Sequence, residues 1–404
     1  MTSTEQCIGS REEAEGFVAL VCFKHGPPTR TGVELEWTVH HRDDPSRPLD
    51  ADALRAALGA HAPGTLVPGS VHLPLARGAD VTVEPGGQVE ISSLPFESVP
   101  QLLAAAASDA RQLAGLLGAH DLVLGDSGLD AHRTPRRILR TPRYDAMEGF
   151  FDRVGPEGRR MMCSTASLQV CVDAGEERDT PARWNLLHTA GPALVALFAS
   201  SPRLAGRSTG WVSARLRATL GTCPPYTGAP SLDDDPAQGW ARLAMEAPVI
   251  CLRGGPGERW DAPAGLTFGA WADGALGTRP TYADLEYHLS TLFPPVRPRG
   301  HLEVRYLDAQ PGDGWTVPLT LISALLADRM VVDKAMEVAE PAAGRWLEAA
   351  RHGLDDRLVR RAARELAEIG CRSLDLIGLD AQTESRIADR LDRTLSGHAT
   401  RNSA

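Results

Sequence analysis

The chain has 404 residues, 43% of them apolar and 23% charged, with a formal net charge of −10. It is long enough to bury a large core without staples, and its ordinary composition excludes collagen-like, coiled-coil and disordered classes. A nucleic-acid binder needs a basic patch or stripe, which no stretch beyond 133–143 suggests. The longest apolar run, residues 190–199, is too short for a membrane span of about 20 residues. Neither nucleic acid nor membrane is therefore expected as a partner. Seven cysteines, odd in number and without a CxxC pair, predict reduced thiols in a cytoplasm. Lys24 and Lys334 are the only lysines among 42 basic residues. The rest are arginines, suited to fork-shaped recognition of carboxylates and phosphates.

In chain order, the pattern predicts a helix over 12–23, closed by Pro27 and Pro28. Strands are expected at 32–39, 81–83 and 88–92, with prolines punctuating the chain between them. Residues 99–120 carry helical periodicity. An alternating run at 164–173 reads as a strand, 182–199 as one buried helix, and 223–280 as long loops with short elements. A short helix over 282–292 and a strand over 301–307 follow. From 316 onward the pattern is helical, with Arg357, Arg360, Arg361 and Arg364 on a solvated face. Mixed strands followed by helices predict an α+β fold. Residues 1–315 are expected to form a catalytic sheet-and-helix core. Residues 316–404 are expected to pack on it as a helical region of the same structural unit.

The informative feature is a repeated asymmetry of the strands. Side chains alternate along a strand. Val33, Leu35, Trp37 and Val39 therefore oppose Glu34, Glu36 and Thr38. Leu302, Val304 and Tyr306 oppose Glu303 and Arg305, and Leu168, Val170 and Val172 oppose Gln169, Cys171 and Asp173. Val89 and Ile91 oppose Gln88, Glu90 and Ser92, and Glu84 closes the 81–83 strand. Half-buried antiparallel strands show polar residues to water as a matter of course. Here, however, the polar positions are mostly Glu, which is depleted in strands. Two carboxylates at i and i+2 repel unless a cation lies between them. Several glutamates on one sheet face, without His or Cys spacing for zinc, point to a hard cation such as Mg²⁺. No GxxxxGK[ST], no GxGxxG after a strand and no GxSxG is present. What remains is a sheet-based nucleotide site built on carboxylates and arginines.

Several segments then form a consistent set. Gly32-Val33-Glu34-Leu35-Glu36 resembles the GxExE opening of the plant-like glutamate–cysteine ligases. Glu84-Pro85-Gly86-Gly87-Gln88-Val89-Glu90-Ile91-Ser92 resembles their EPGGQxELS motif. Met161-Met162 with residues 166–170, residues 197–202, residues 210–215 and residues 291–305 resemble further segments of that family, in the same order. The tail is most similar to the actinobacterial branch, whose product feeds ergothioneine synthesis. Cys171 departs from the Asn of the plant enzymes, and 216–280 diverges too far to carry roles across.

The resemblance implies a glutamine-synthetase-like, mostly antiparallel sheet with a carboxylate-rich active face and helices on the other face. It implies that L-glutamate, L-cysteine and ATP yield γ-glutamylcysteine, ADP and phosphate through a γ-glutamyl phosphate. On that footing Glu34, Glu36, Glu84, Glu90 and Glu303 are candidates for holding Mg²⁺. Arg215 and Arg305 are the catalytic candidates, neutralising phosphate or gripping a substrate carboxylate. Gln169 is a candidate for binding the substrate's amino or carboxyl group. Cys171, predicted on the face of Gln169, is the thiol expected to react with alkylating reagents. Two other readings stay open: a related ligase using another acid or amine, and a non-catalytic binding protein on the same fold.

Overall fold

A computed structural model describes residues 5–401 apart from 225, 233–234 and 256. Its strands are β1 (Thr31–Trp37), β2 (Val39–His41), β3 (Asp80–Val83), β4 (Val89–Ser92), β5 (Leu122–Leu124), β6 (Ser167–Val172), β7 (Arg203–Leu204), β8 (Arg207–Ser208), β9 (Val296–Pro298) and β10 (Leu302–Asp308). Six of them form one sheet in the order β3-β4-β1-β6-β10-β9, antiparallel at every pairing. The alternation seen in the sequence is therefore real. Val33, Leu35, Ile91, Leu168, Val170 and Val304 are all buried on one face.

The helices of the first half are α1 (Arg11–Cys22), α2 (Ala51–Leu58), α3 (Val99–Gly118), α4 (Pro142–Val154), α5 (Glu157–Ser164), α6 (Thr180–Thr189) and α7 (Gly191–Phe198). The remainder are α8 (Ala214–Leu220), α9 (Pro236–Glu246), α10 (Phe268–Ala272), α11 (Tyr282–Leu289), α12 (Thr316–Leu325), α13 (Arg329–Ala339), α14 (Trp346–His352), α15 (Arg357–Arg372) and α16 (Ala381–Arg401). Helices α3, α7 and α12 pack on sheet strands, and α15 packs in turn on α7 and α12. The other face of the sheet is walled by residues of α4, α5, α8 and α11, which leave a cavity between them. No helix among the described residues is long and apolar enough to cross a membrane.

Three sequence expectations need correction, and one strand was not expected. The strand expected over 32–39 is two. β1 stops at Trp37, and β2 leaves the main sheet to pair with β5. The single helix expected over 182–199 is α6 and α7, broken at Ala190 with Pro192 at the start of α7. Proline lacks the N–H a continuous helix needs. Gly191 also sits against the Trp346 indole, so a Cβ there would lie 2.0 Å from the ring. Within 223–280, α9 is a true amphipathic helix packed on α1. Finally, β9, of three residues, gave no sequence signal of its own.

Candidate active site

The register of the sheet aligns the predicted polar residues in rows. Thr82, Glu90 and Glu36 lie side by side across β3, β4 and β1. The next row is Asp80, Ser92, Glu34 and Gln169. The third is Gly32, Cys171, Glu303 and Arg297. Glu84 stands where β3 enters the turn to β4. That turn is why the glycines are there. A Cβ on Gly86 would lie 2.2 Å from the Cys163 carbonyl oxygen, and Gly87 has φ +90°, a region that favours glycine. Gln88 locks the turn beneath α5. Its Oε1 accepts from the Gly86 N–H (3.0 Å), and its Nε2 donates to the carbonyls of Met162 (3.3 Å) and Thr165 (2.8 Å).

These rows floor a cavity of about 640 Å³, within the range of small-ligand sites. Glu34, Glu36, Glu84, Glu90, Gln169, Arg215 and Arg305 all line it. Met147, Met161, Leu220, Leu289 and Phe293 supply an apolar wall. Gln169 joins the two halves of the floor: its Nε2 donates to Glu90 (3.1 Å), and its Oε1 accepts from the Arg305 guanidinium. Glu36 accepts from both the N–H (2.8 Å) and the hydroxyl (2.9 Å) of Ser167. Thr82 donates to Glu90 at 3.1 Å.

The electrostatics separate the glutamates into two groups. Burial pushes the Glu34 carboxyl up to about 7, and the Glu303 charge adds to the shift. Burial likewise pushes Glu36 up to about 7, with Glu84 adding, against the opposing hydrogen bonds from Ser167. Glu84 is raised by burial. Glu90 is raised well above the usual carboxylate range by burial and then by Glu34, Glu36 and Glu84. Glu34, Glu36 and Glu84 thus disfavour ionisation of Glu90, and all four offer oxygen donors of the kind a hard divalent cation takes. Among the described residues, the three ligand atoms that all lie within 4.8 Å of one another are those of Glu34, Cys171 and Glu303.

Glu303 differs. Burial opposes its ionisation, but Arg297 and Arg305 together hold it well below the usual range. Its oxygens accept from Arg297 Nε (2.6 Å) and Nη2 (3.1 Å), with Arg305 Nη1 at 3.1 Å. Glu303 thus pairs with two guanidiniums at the position where a fifth metal-holding glutamate is expected. Glu303 is fully buried and its charge is matched by two guanidiniums, although one of its oxygens still lies within 4.8 Å of ligand atoms of Glu34 and Cys171.

Arg215, the other catalytic candidate, is held by main-chain carbonyls. It is 3% exposed, and its Nη2 donates to the main-chain carbonyls of Arg305 and Leu307 (2.8 Å for the latter). It brings positive charge to the cavity floor beside Glu36. Arg305 lies at the cavity surface with its guanidinium on Gln169 and Glu303. Cys171 is half-buried, and burial with Glu34 and Glu303 pushes its thiol well above the ordinary value. That opposes the expected reactivity, because the thiolate is the nucleophile.

Sequence reasoning missed Arg297, Arg143 and Arg299, which also line the cavity. Arg143 donates to the hydroxyl (3.1 Å) and carbonyl (3.0 Å) of Ser290 and lies 5.0 Å over the Tyr287 ring. Arg297 could have been found, since it faces Glu303 from the same quoted segment. Arg143, on a helix far away in sequence, left no signal.

A sheet face that sets carboxylates for a hard cation beside arginines for anions is the equipment of a ligase that activates an acid. Residues 30–389 match the family described as Glutamate-cysteine ligase family 2 (GCS2), to which the chain belongs. It is 38% identical over 366 residues to the glutamate–cysteine ligase EgtA of Mycolicibacterium smegmatis, covering 88% of this chain and 82% of the relative. It is 37% identical over 398 residues to EgtA of Mycobacterium tuberculosis, covering 96% and 88%. The chloroplastic glutamate–cysteine ligase of Brassica juncea is 31% identical over 57% of this chain and 46% of that protein. In fold, the chain is similar to a glutamate–cysteine ligase of Francisella tularensis solved in complex with AMP, with a TM-score of 0.52 at 14% identity. That likeness covers 92% of this chain and 83% of the other.

Proposed function

We propose that this protein joins the γ-carboxylate of L-glutamate to the amine of L-cysteine at the expense of ATP, as the first step toward ergothioneine. The observation that carries the reading is the floor of four buried glutamates with raised carboxyls beside arginines, in a chain belonging to the glutamate–cysteine ligases. A carboxylate does not accept an amine until one of its oxygens becomes a leaving group. The γ-carboxylate oxygen of glutamate attacks the γ-phosphorus of ATP and ADP departs. The cysteine amine then attacks the acyl carbon, phosphate leaves, and the amine proton is lost. Such transfer depends on positioning and charge neutralisation.

Glu34, Glu36, Glu84, Glu90 and Glu303 are the residues that would hold Mg²⁺, which when bound neutralises phosphate charge. Arg305, ordered by Glu303 and Gln169, meets an anionic oxygen with a planar fork. Arg297 shares Glu303 and completes the positive wall, while Arg215 adds charge at the floor. Gln169 contributes a neutral donor and acceptor for the amino or carboxyl group of glutamate. The apolar wall excludes water from the acyl phosphate. We further propose that residues 1–315 and 316–404 act as one unit, a reading supported by α15 packing on both α7 and α12. A cytoplasmic setting is supported by seven free cysteines among the described residues.

The test is ADP release from ATP with L-glutamate, with and without L-cysteine, and mass identification of the product. γ-Glutamylcysteine is expected only when all three substrates and Mg²⁺ are present. A different amine giving faster turnover than cysteine would move the assignment to another ligase. No ADP release with any amine would leave a binding protein.

A further inference from the structure

Asp308 ends β10 and takes no part in the chemistry above. It is 2% exposed, yet four groups converge on it. Its Oδ2 accepts from the Ser200 N–H (2.9 Å) and the Ser201 hydroxyl (2.7 Å). Its Oδ1 accepts from the Ser213 hydroxyl (2.9 Å) and lies 3.4 Å from Arg215 Nε. Ser200 and Ser201 follow α7, and Ser213 caps α8, so one carboxylate ties two chain segments to the end of the strand. Room for it is made by Gly128, where a Cβ would come within 2.7 Å of Asp308 Cβ.

What Asp308 holds in place is informative. Val304 pairs with Val170 and Leu307 with Leu168, so three steps along β10 pass two along β6. This is a β-bulge, and bulges re-aim side chains near functional sites. The extra residue has two consequences. It brings Asp308 into register with Ser167, on the active face, where strict alternation from Glu303 and Arg305 would have sent it to the other. It also disturbs the ladder at Arg305 and Leu307, whose carbonyls instead accept from Arg215 Nη2. The Arg305 N–H is meanwhile tied to the Pro295 carbonyl at 2.9 Å. A buried guanidinium needs a matching anion, and Asp308 supplies it, with the serines satisfying its remaining lone pairs.

We propose that Asp308 is a positioning residue: through Arg215 it clamps the β10 bulge and so aims the Arg305 guanidinium at Gln169 and the cavity. The proposal deepens the reading above, since it rests on Arg305 meeting an anion during turnover. A clamp of this kind acts on geometry, and displacement by about 1 Å costs roughly 10²-fold in rate.

The experiment is a double-mutant cycle on the full chain with Asp308→Asn, Arg305→Lys and the double variant, measuring kcat and KM for ATP and L-glutamate. Asp308→Asn is expected to lower kcat by roughly 10²-fold while changing the two KM values far less. The double variant is expected to be no slower than Arg305→Lys alone, because a misaimed Arg305 has already lost its function. Losses that multiply in the double variant, or an Asp308→Asn enzyme with wild-type kcat, overturn the clamp while leaving Arg305 in its role. Wild-type kcat in Arg305→Lys overturns both, and is recognisable from the single variant. Should Asp308→Asn fail to fold by circular dichroism, Ser213→Ala removes one of its hydrogen bonds. A smaller kcat loss that vanishes in the Arg305→Lys background then supports the clamp, and multiplying losses or no loss overturn it.

Discussion

Glu36 and Glu90 face each other across β1 and β4, and like charges directly opposite on a sheet are destabilising. The face is therefore arranged for a ligand rather than for the stability of the free protein. Glu36→Gln relieves that repulsion and removes a charged oxygen donor, and a hard cation binds the neutral amide less well. Activity at limiting Mg²⁺ should fall by at least about tenfold, while the melting temperature in EDTA is unchanged or higher. Near-normal turnover at limiting Mg²⁺ would remove Glu36 from the metal site. The same residues set a pH dependence. The folded carboxyls of Glu34 and Glu36 lie near about 7, above their ordinary value of 4.5. Their contribution to the stability of the metal-free protein is thus full below 4.5 and lost as pH rises through about 7. Cation binding needs the ionised forms and displaces those protons. Calorimetric Mg²⁺ affinity should accordingly rise between about pH 6 and 8, with proton release seen in buffers of different ionisation enthalpy. Affinity that is flat over that window would show that the carboxyls are already ionised.

At the scale of elements, the α7–α14 contact is the most exacting. Gly191→Ala would drive a methyl into the Trp346 ring, and overpacking of this kind costs about 1–3 kcal/mol. A lower urea midpoint is expected, with Mg²⁺ affinity kept because the sheet face is untouched. A midpoint equal to wild type would mean that the two helices separate easily. Elements were legible in the sequence where burial is one-sided. β1, β4, β6 and β10 all announce themselves by alternation, and with them Glu34, Glu36, Glu90, Gln169 and Arg305. The break at Ala190 was legible in Gly191-Pro192, yet the pattern reads through it, because both flanking segments are largely buried. The bulge was not legible, since an extra residue in one strand is defined only against the register of its partner. For that reason Asp308 drew no notice.

At the scale of the whole molecule, all seven cysteines are free in the structure. Burial raises the thiols of Cys22, Cys163, Cys171, Cys223, Cys251 and Cys371, whereas Cys7 is exposed. Brief iodoacetamide treatment should therefore mark Cys7 first and leave activity intact, which peptide mapping alongside the assay would establish. Rapid loss of activity with the label on Cys171 would show a more open floor than this packing allows.

The order of strands in the central sheet also has a temporal meaning. Glu34, Glu36, Glu84 and Glu90 all lie in the first quarter of the chain, whereas Arg215, Arg297 and Arg305 come from its second half. During synthesis the acidic strands β1, β3 and β4 leave the ribosome long before the arginines that oppose them. Pairing β6 with β1, and β10 with β6, closes long loops, and such non-local contacts form slowly. Until they do, the nascent β1, β3 and β4 carry uncompensated negative charge. That charge keeps bare strand edges from pairing with neighbouring chains, as edge charges do in finished sheets. The glutamates proposed to hold a cation in the folded protein would thus also guard its unfinished sheet against aggregation.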